Sequence, residues 1–132
     1  MLGTKSCAAT LAVKDMARAR DFYENTLGLK QSEYGPQDPG AVVYQSGDSA
    51  VLVYESEYAG TNQATAASWA LGDDFDAIVQ SLQEKGVSFE RYDNLPDVTR
   101  EGDVHVMGEL RAVWFKDPTG TYSISSTRRC SP

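Results

Sequence analysis

The chain's single histidine, His105, is its first candidate for chemistry. It stands near Asp103 and Glu109, and a histidine flanked by carboxylates can serve as a general acid or base near neutral pH. An exposed loop histidine with no special role is the competing reading. Glu55 closes an apolar run whose alternate residues would line one face. A carboxylate there could attract a cation or act as a base, and a solvated strand-end glutamate is the bland alternative. Asp103 and Glu109 could likewise attract a cationic group. Cys7 has no basic neighbour in sequence to activate it and reads as a buried, inert thiol. Asp73-Asp74 reads as a helix start. Gly35 to Gly40 lacks the Lys-Ser/Thr signature of a phosphate cradle and opens no helix. No serine or cysteine sits in a recognisable nucleophile elbow.

The elements that must position these residues are written twice. Val13-Lys14-Asp15 leads through Asp21-Phe22-Tyr23 to Leu27-Gly28-Leu29, and Gly72-Asp73-Asp74 leads through Phe75 and Ile78-Val79 to Lys85-Gly86-Val87. Asp15 to Asp74 is nearly the same interval as Gly28 to Gly86. In each copy a β-like run passes an Asp suited to capping and becomes an amphipathic helix. Each helix ends at a Gly suited to the left-handed position. Met16, Ala19, Phe22, Tyr23 and Leu27 form the first apolar stripe, and Phe75, Ile78, Val79 and Leu82 the second.

Strands are expected over 7–13, 30–34, 41–45, 50–55, 68–71, 87–92, 109–116 and 121–126. Ser46-Gly47-Asp48-Ser49 and Asp117-Pro118-Thr119-Gly120 are the tight turns. The stretch 94–108 is polar and glycine-containing, long enough as a loop to invite a functional role. The order is β-α-β-β-β twice. It predicts a single α+β domain over 1–132, with one module over about 5–57, a connector over about 58–67 and a second module over about 68–127.

This order, with Val13-Lys14-Asp15, Asp21-Phe22-Tyr23, Leu27-Gly28-Leu29 and the closing Trp114-Phe115-Lys116-Asp117-Pro118-Thr119-Gly120, resembles the vicinal oxygen chelate superfamily. That group contains glyoxalases, bleomycin-resistance proteins, fosfomycin-resistance enzymes and extradiol dioxygenases. The resemblance covers about 7–126. It implies two modules forming a curved, cavity-enclosing mixed sheet with the helices outside, often in a homodimer. It also implies where a metal would sit. Metal-using members carry a His seven residues before the first helix's Asp, where this chain has Ala8. The second ligand position falls on Ala67, or on Ala66 if the register slips by one. The Glu after the last hairpin falls on Ile124, and a fourth ligand would lie near Leu52 or Val53. Alkyl side chains have no lone pair for a cation. The expectation is therefore no metal and no cofactor.

If the cavity is dry of metal, aromatic side chains become its main resource. Alternation from Ala67 and Ile124 places Trp69 and Tyr122 on the cavity face, and Val51, Val53 and Glu55 share a face on the earlier strand. Trp114 and Tyr44 are further candidates. Ordinary core packing competes for each of them. Burying on the order of 400 Å² of apolar ligand surface gives about 10 kcal/mol. Micromolar affinity needs roughly 8 kcal/mol, and association costs several more. Ring stacking of about 0.5–1.5 kcal/mol per aromatic helps to close that gap.

The expected ligand-binding set is Trp69, Trp114, Tyr122, Tyr44, Val53, Glu55, Ile124 and His105. The expected function is metal-free sequestration of a planar or aromatic drug-like molecule, more binding protein than enzyme. A metal-independent isomerase or lyase using His105 or Glu55 is the alternative. A metal-dependent glyoxalase or dioxygenase and a protein-interaction module stand behind it.

Charge and composition narrow the partners. A net charge of −7 with no large basic cluster argues against nucleic acid, and Arg128-Arg129 reads as a solvated tail. No apolar run reaches membrane-spanning length, and no signal-like segment opens the chain. A cytoplasmic location is expected, with Cys7 and Cys130 as free thiols.

Overall fold

In the computed structural model, residues 1–33, 39–61, 65–108 and 110–120 and the backbone of 124–129 are described. Module one contains β1 (Ala9–Val13), α1 (Met16–Arg20), β2 (Lys30–Gln31), β3 (Ala41–Ser46) and β4 (Ser49–Glu55). Its sheet runs β1-β4-β3-β2, with β1 parallel to β4 and the other pairs antiparallel. Module two contains β5 (Ala67–Ala70), α2 (Phe75–Glu84), β6 (Thr99–Glu101), β7 (Val104–Met107), β8 (Leu110–Phe115) and β9 (Ile124–Arg129). Its sheet runs β5-β9-β8-β7-β6, with β5 parallel to β9. Each sheet thus places its first strand parallel to its last, and the duplication read from the sequence is also a duplication of topology.

Local chemistry accounts for the first helix. The Asp15 carboxylate accepts from the Arg18 amide at 3.2 Å, the expected cap. After one regular turn the helix widens into a π segment, Asp21–Thr26, in which the Leu27 amide reaches back to the Phe22 carbonyl at 2.9 Å. Gly28 then takes φ +75°, which a Cβ would resist. The second helix opens differently. A 3-10 turn over Gly72–Asp74 leads in, and Asp74 at the N-cap makes no side-chain capping bond.

Three strand expectations are corrected. The stretch 94–108 contains the β6–β7 hairpin, closed through Gly102 at φ +64°. The polar, glycine-containing composition that suggests a loop gives way to local strand propensity over Val104–Met107. The expected strand over 87–92 is reduced to one bridge, Phe89 to Phe115. The last strand runs to Arg129, so Arg128-Arg129 pairs with Arg111 and Leu110 in β8 and is no tail.

One apolar core joins the modules. Leu11, Val13, Val42, Tyr44, Val51 and Val53 of the first sheet pack with α1 residues Met16 and Ala19, with Tyr23, with Phe75, Val79 and Leu82 of α2, and with Val113 and Phe115. The helix side of each sheet is therefore buried in this core. The opposite sides, here called the open faces, carry the intervening residues of each strand.

Candidate functional site

Strand register assigns each candidate to a face. In the first sheet Thr10 stands opposite Leu52, itself opposite Val43, and Ala12 stands opposite Tyr54, itself opposite Ala41. These residues form the open face. Leu11, Val53 and Val42 are paired one position away and lie in the core. Val53 therefore packs under the helices and does not face a cavity on the open side. Tyr44 is also fully buried in the core, its hydroxyl donating to Glu24 Oε2 at 3.0 Å. Burial, then the hydrogen bond to Glu24 and its charge, push this phenol well above the usual tyrosine range. Glu55 is exposed at the end of β4, lining a shallow depression with Lys14, Gly40, Ser56 and Glu57.

The same phase applies to module two. Ala67 is paired with Ile124 and Trp69 with Ser126, while Phe115 and Val113 stand opposite Ile124 and Ser126. Trp69 packs against the core, and its indole Nε1–H donates to Ser46 Oγ at 2.8 Å. The open-face register instead runs Ser68, Ser125, Trp114. A one-residue slip in phase exchanges every side chain between faces. The cavity-face expectation for Trp69 and Val53 is out by this one-residue phase, since both pack at the core. Tyr122 and Glu109 lie outside the described residues, as does Cys130. Cys7 is free and exposed, not buried.

Two open-face features have chemical potential. The first is a pocket of roughly 150 Å³ beside β1, lined by Thr10, Ala12, Tyr54, Tyr58, Gly60 and Ala66. Tyr54 and Tyr58 are 37% and 74% exposed, among the few large apolar side chains left in solvent. Sequence alternation anchored on the core residues Leu11 and Val13 would have found Thr10, Ala12 and Tyr54. Tyr58 sits in the connector, where no period exists to find it.

The second feature is an aromatic cluster. His105 is paired with Ala112 across β7 and β8, on the same side as Trp114. Its ring meets Trp114 edge-on at 4.8 Å and Tyr92 at 5.7 Å, and Tyr92 meets Trp114 at 5.7 Å. Trp114 and Tyr92 remain half-buried, while His105 is fully buried, against the expectation of an exposed loop residue. His105 Nε2 accepts from the Tyr92 amide at 2.9 Å, so the proton sits on Nδ1. That Nδ1 is the one buried side-chain polar atom without a partner among the described residues. Asp103 is not poised to help it. Its carboxylate holds Arg91 at 2.8 Å and accepts from Gln83 at 3.2 Å. Nearby, the hydrogen bond from Arg100 holds the exposed Asp93 carboxyl below the usual range.

The residues at the family's chelating positions do not fit a metal ion. Ala8, Ala66, Ala67 and Leu52 offer no lone pair. Among the described residues no three His, Cys, Asp or Glu side chains gather closely enough to hold one. No helix among them is long and apolar enough to cross a membrane.

Paired β-α-β modules with parallel first and last strands, and a candidate site on the sheet faces turned from the helices, define the glyoxalase-type class. The chain belongs to the Glyoxalase/Bleomycin resistance protein/Dioxygenase superfamily, which it matches over residues 6–122. A search of curated proteins found no match. Among solved structures it is similar to an integron cassette protein from the mobile metagenome of a Halifax Harbour sewage outfall, with 17% identity and a TM-score of 0.66 over 95% of this chain and 98% of that one. It is also similar to an antibiotic binding protein from a Streptomyces species, with 22% identity and a TM-score of 0.62 over 96% and 98%. A fosfomycin resistance protein, FosX from Mesorhizobium loti, has 15% identity and a TM-score of 0.64 over 95% and 92%. At these identities the likeness is one of fold.

Proposed function

We propose that this protein binds a planar or aromatic small molecule on its open faces without a metal, sequestering it in the cytoplasm. The observation that carries the reading is the pairing of exposed aromatic rings with alkyl side chains at chelating positions. Tyr54 and Tyr58 flank the pocket that includes Ala12 and Ala66, and Trp114 with Tyr92 caps the open face of the second sheet. Such a surface favours stacking and apolar burial and offers little to polarise a carbonyl or activate water. The structural likeness to an antibiotic binding protein is consistent with this use of the fold.

The reading includes a homodimer. Within one chain the helix faces of both sheets are consumed by the common core, and Thr10, Tyr54, Ser68 and Ala70 are left exposed. A second copy would cover them and enclose the ligand between module one of one chain and module two of the other. A thermal-shift panel of planar aromatic antibiotics, with and without zinc, nickel, iron or manganese, tests the function. Stabilisation by a panel member and none by the metals supports it. Stoichiometric metal in the purified protein, or no stabilisation by any organic compound, sinks it. Sedimentation analysis tests the dimer.

A further inference from the structure

A second cavity lies on the other side of the sheets, between the modules. It offers roughly 180 Å³ and is half open to solvent, with Leu82 and Phe115 buried at its base and the other walls partly exposed. Leu27 and Leu29 follow the first helix, Leu71, Ile78 and Leu82 come from around α2, and Trp69, Phe115 and Ser46 complete the wall. The site is separate from the open faces, since Trp69 and Phe115 belong to the core side.

Protein interiors are packed nearly as tightly as organic crystals, and voids above the size of a water molecule are few. An apolar cavity of about 150 Å³ stays dry and takes up benzene. This one is slightly larger and has seven apolar walls, but it opens to solvent on one side, so a ring that enters it displaces water from apolar surface. Its single small polar side chain is Ser46. Ser46 Oγ accepts from Trp69 Nε1 at 2.8 Å and keeps its own O–H proton for a ligand acceptor. No charged side chain lines the cavity, so an ionised ligand would lose its hydration uncompensated. The walled part of the space matches a single aromatic ring.

We infer that the cavity walled by Leu27, Trp69, Ile78, Leu82 and Phe115 is a second binding site, taking a neutral single-ring aromatic molecule whose one hydrogen-bond acceptor meets the Ser46 hydroxyl. The ring lies among leucine and isoleucine methyls and the Trp69 indole, and a carbonyl or ether oxygen reaches Ser46. This inference does not depend on the reading of the open faces.

The test is titration of the full-length protein with acetophenone and, separately, with ethylbenzene, followed by methyl NMR. The expected result is saturable shifts at the Leu27, Ile78 and Leu82 methyls. Acetophenone should bind about 5-fold more tightly than ethylbenzene, the effect of one added neutral hydrogen bond. Ile78→Phe fills the space and should weaken the acetophenone binding read at those methyls at least 10-fold, while Lys5→Ala, an exposed residue that lines neither site, leaves it unchanged. Leu27→Phe replaces Ile78→Phe if that variant does not fold. The inference is overturned by absence of saturable shifts at those methyls, by equal binding of the two probes, or by a folded filling variant that binds like the parent.

Discussion

Tyr23, in the π-helical turn of module one, donates a 2.8 Å hydrogen bond to Asp117 Oδ2 in the last turn of module two, 94 positions away. Both residues are buried. The other Asp117 oxygen accepts from the Thr119 amide at 3.0 Å, and the Gly120 amide bonds the Asp117 carbonyl at 2.9 Å, so the same aspartate shapes its own turn. Next to it Thr119 Oγ1 accepts from the Lys14 amide at 3.3 Å, and Gly60, at φ +81°, brings the connector so close that a Cβ would meet the Thr119 carbonyl at 3.1 Å. The closing turn is thereby tied to the start of α1 and to the connector. These contacts fix how the two sheets are set relative to each other, and with that how their open faces are presented.

Tyr23→Phe should therefore cost more than a typical surface change. It keeps the ring, which packs edge-on to Phe22 and stacked near Tyr44. It removes the donor to a buried carboxylate, a loss of about 1–3 kcal/mol. Urea unfolding of the variant should show a lower midpoint with an unchanged slope. A midpoint equal to the parent's would show that the bond across the modules contributes nothing net.

The same phenol predicts alkaline behaviour. Burial above all, then the Asp117 charge and the hydrogen bond to it, raise Tyr23 far beyond the usual tyrosine range, and Tyr44 is raised for related reasons. In the unfolded chain a tyrosine ionises near pH ~10. Below that pH both states hold the protons, and the contribution to stability is fully present. Above it the unfolded chain gives up protons that the folded chain keeps, so stability falls as pH rises. In a spectrophotometric titration, two of the seven tyrosines should ionise only together with loss of the helical circular dichroism signal. Ionisation of all seven in the folded protein would contradict this.

Local and periodic signals are legible in the sequence. The Asp15 cap, the left-handed Gly28 and Gly86, and the Asp117–Gly120 turn all follow from the needs of a few adjacent residues. The duplicated order survived because two amphipathic helices mark the same point in each copy. The site was harder to read, because it depends on which of two alternating faces a strand buries. Ala67 and Trp69 share an apolar character with Ala66, so composition alone could not set the phase, and one residue decides everything. The polar, glycine-containing composition of 94–108 conceals the short hairpin that carries His105, and the burial of that ring against Trp114 and Tyr92 depends on strands distant in sequence.

Strand β4 offers a direct test of that phase, because neighbouring residues should fail in different ways. Val53 is fully buried among core residues of both modules. Val53→Ala deletes two methyl groups there and should cost about 1–3 kcal/mol of stability through lost burial and the cavity left behind. It should leave the ligand affinity of the remaining folded protein close to the parent's. Tyr54 points the other way, 37% exposed beside the open-face pocket. Tyr54→Ala removes a stacking ring worth about 0.5–1.5 kcal/mol, and so should weaken an aromatic ligand roughly 2- to 12-fold. Its unfolding midpoint should barely move, since little packing is lost. Calorimetric titration with whichever aromatic compound stabilises the parent, run alongside urea unfolding, separates the two effects. If Val53→Ala weakened binding at unchanged stability while Tyr54→Ala left affinity intact, the ligand would have to lie on the helix side of the sheet, and the open-face assignment would be wrong.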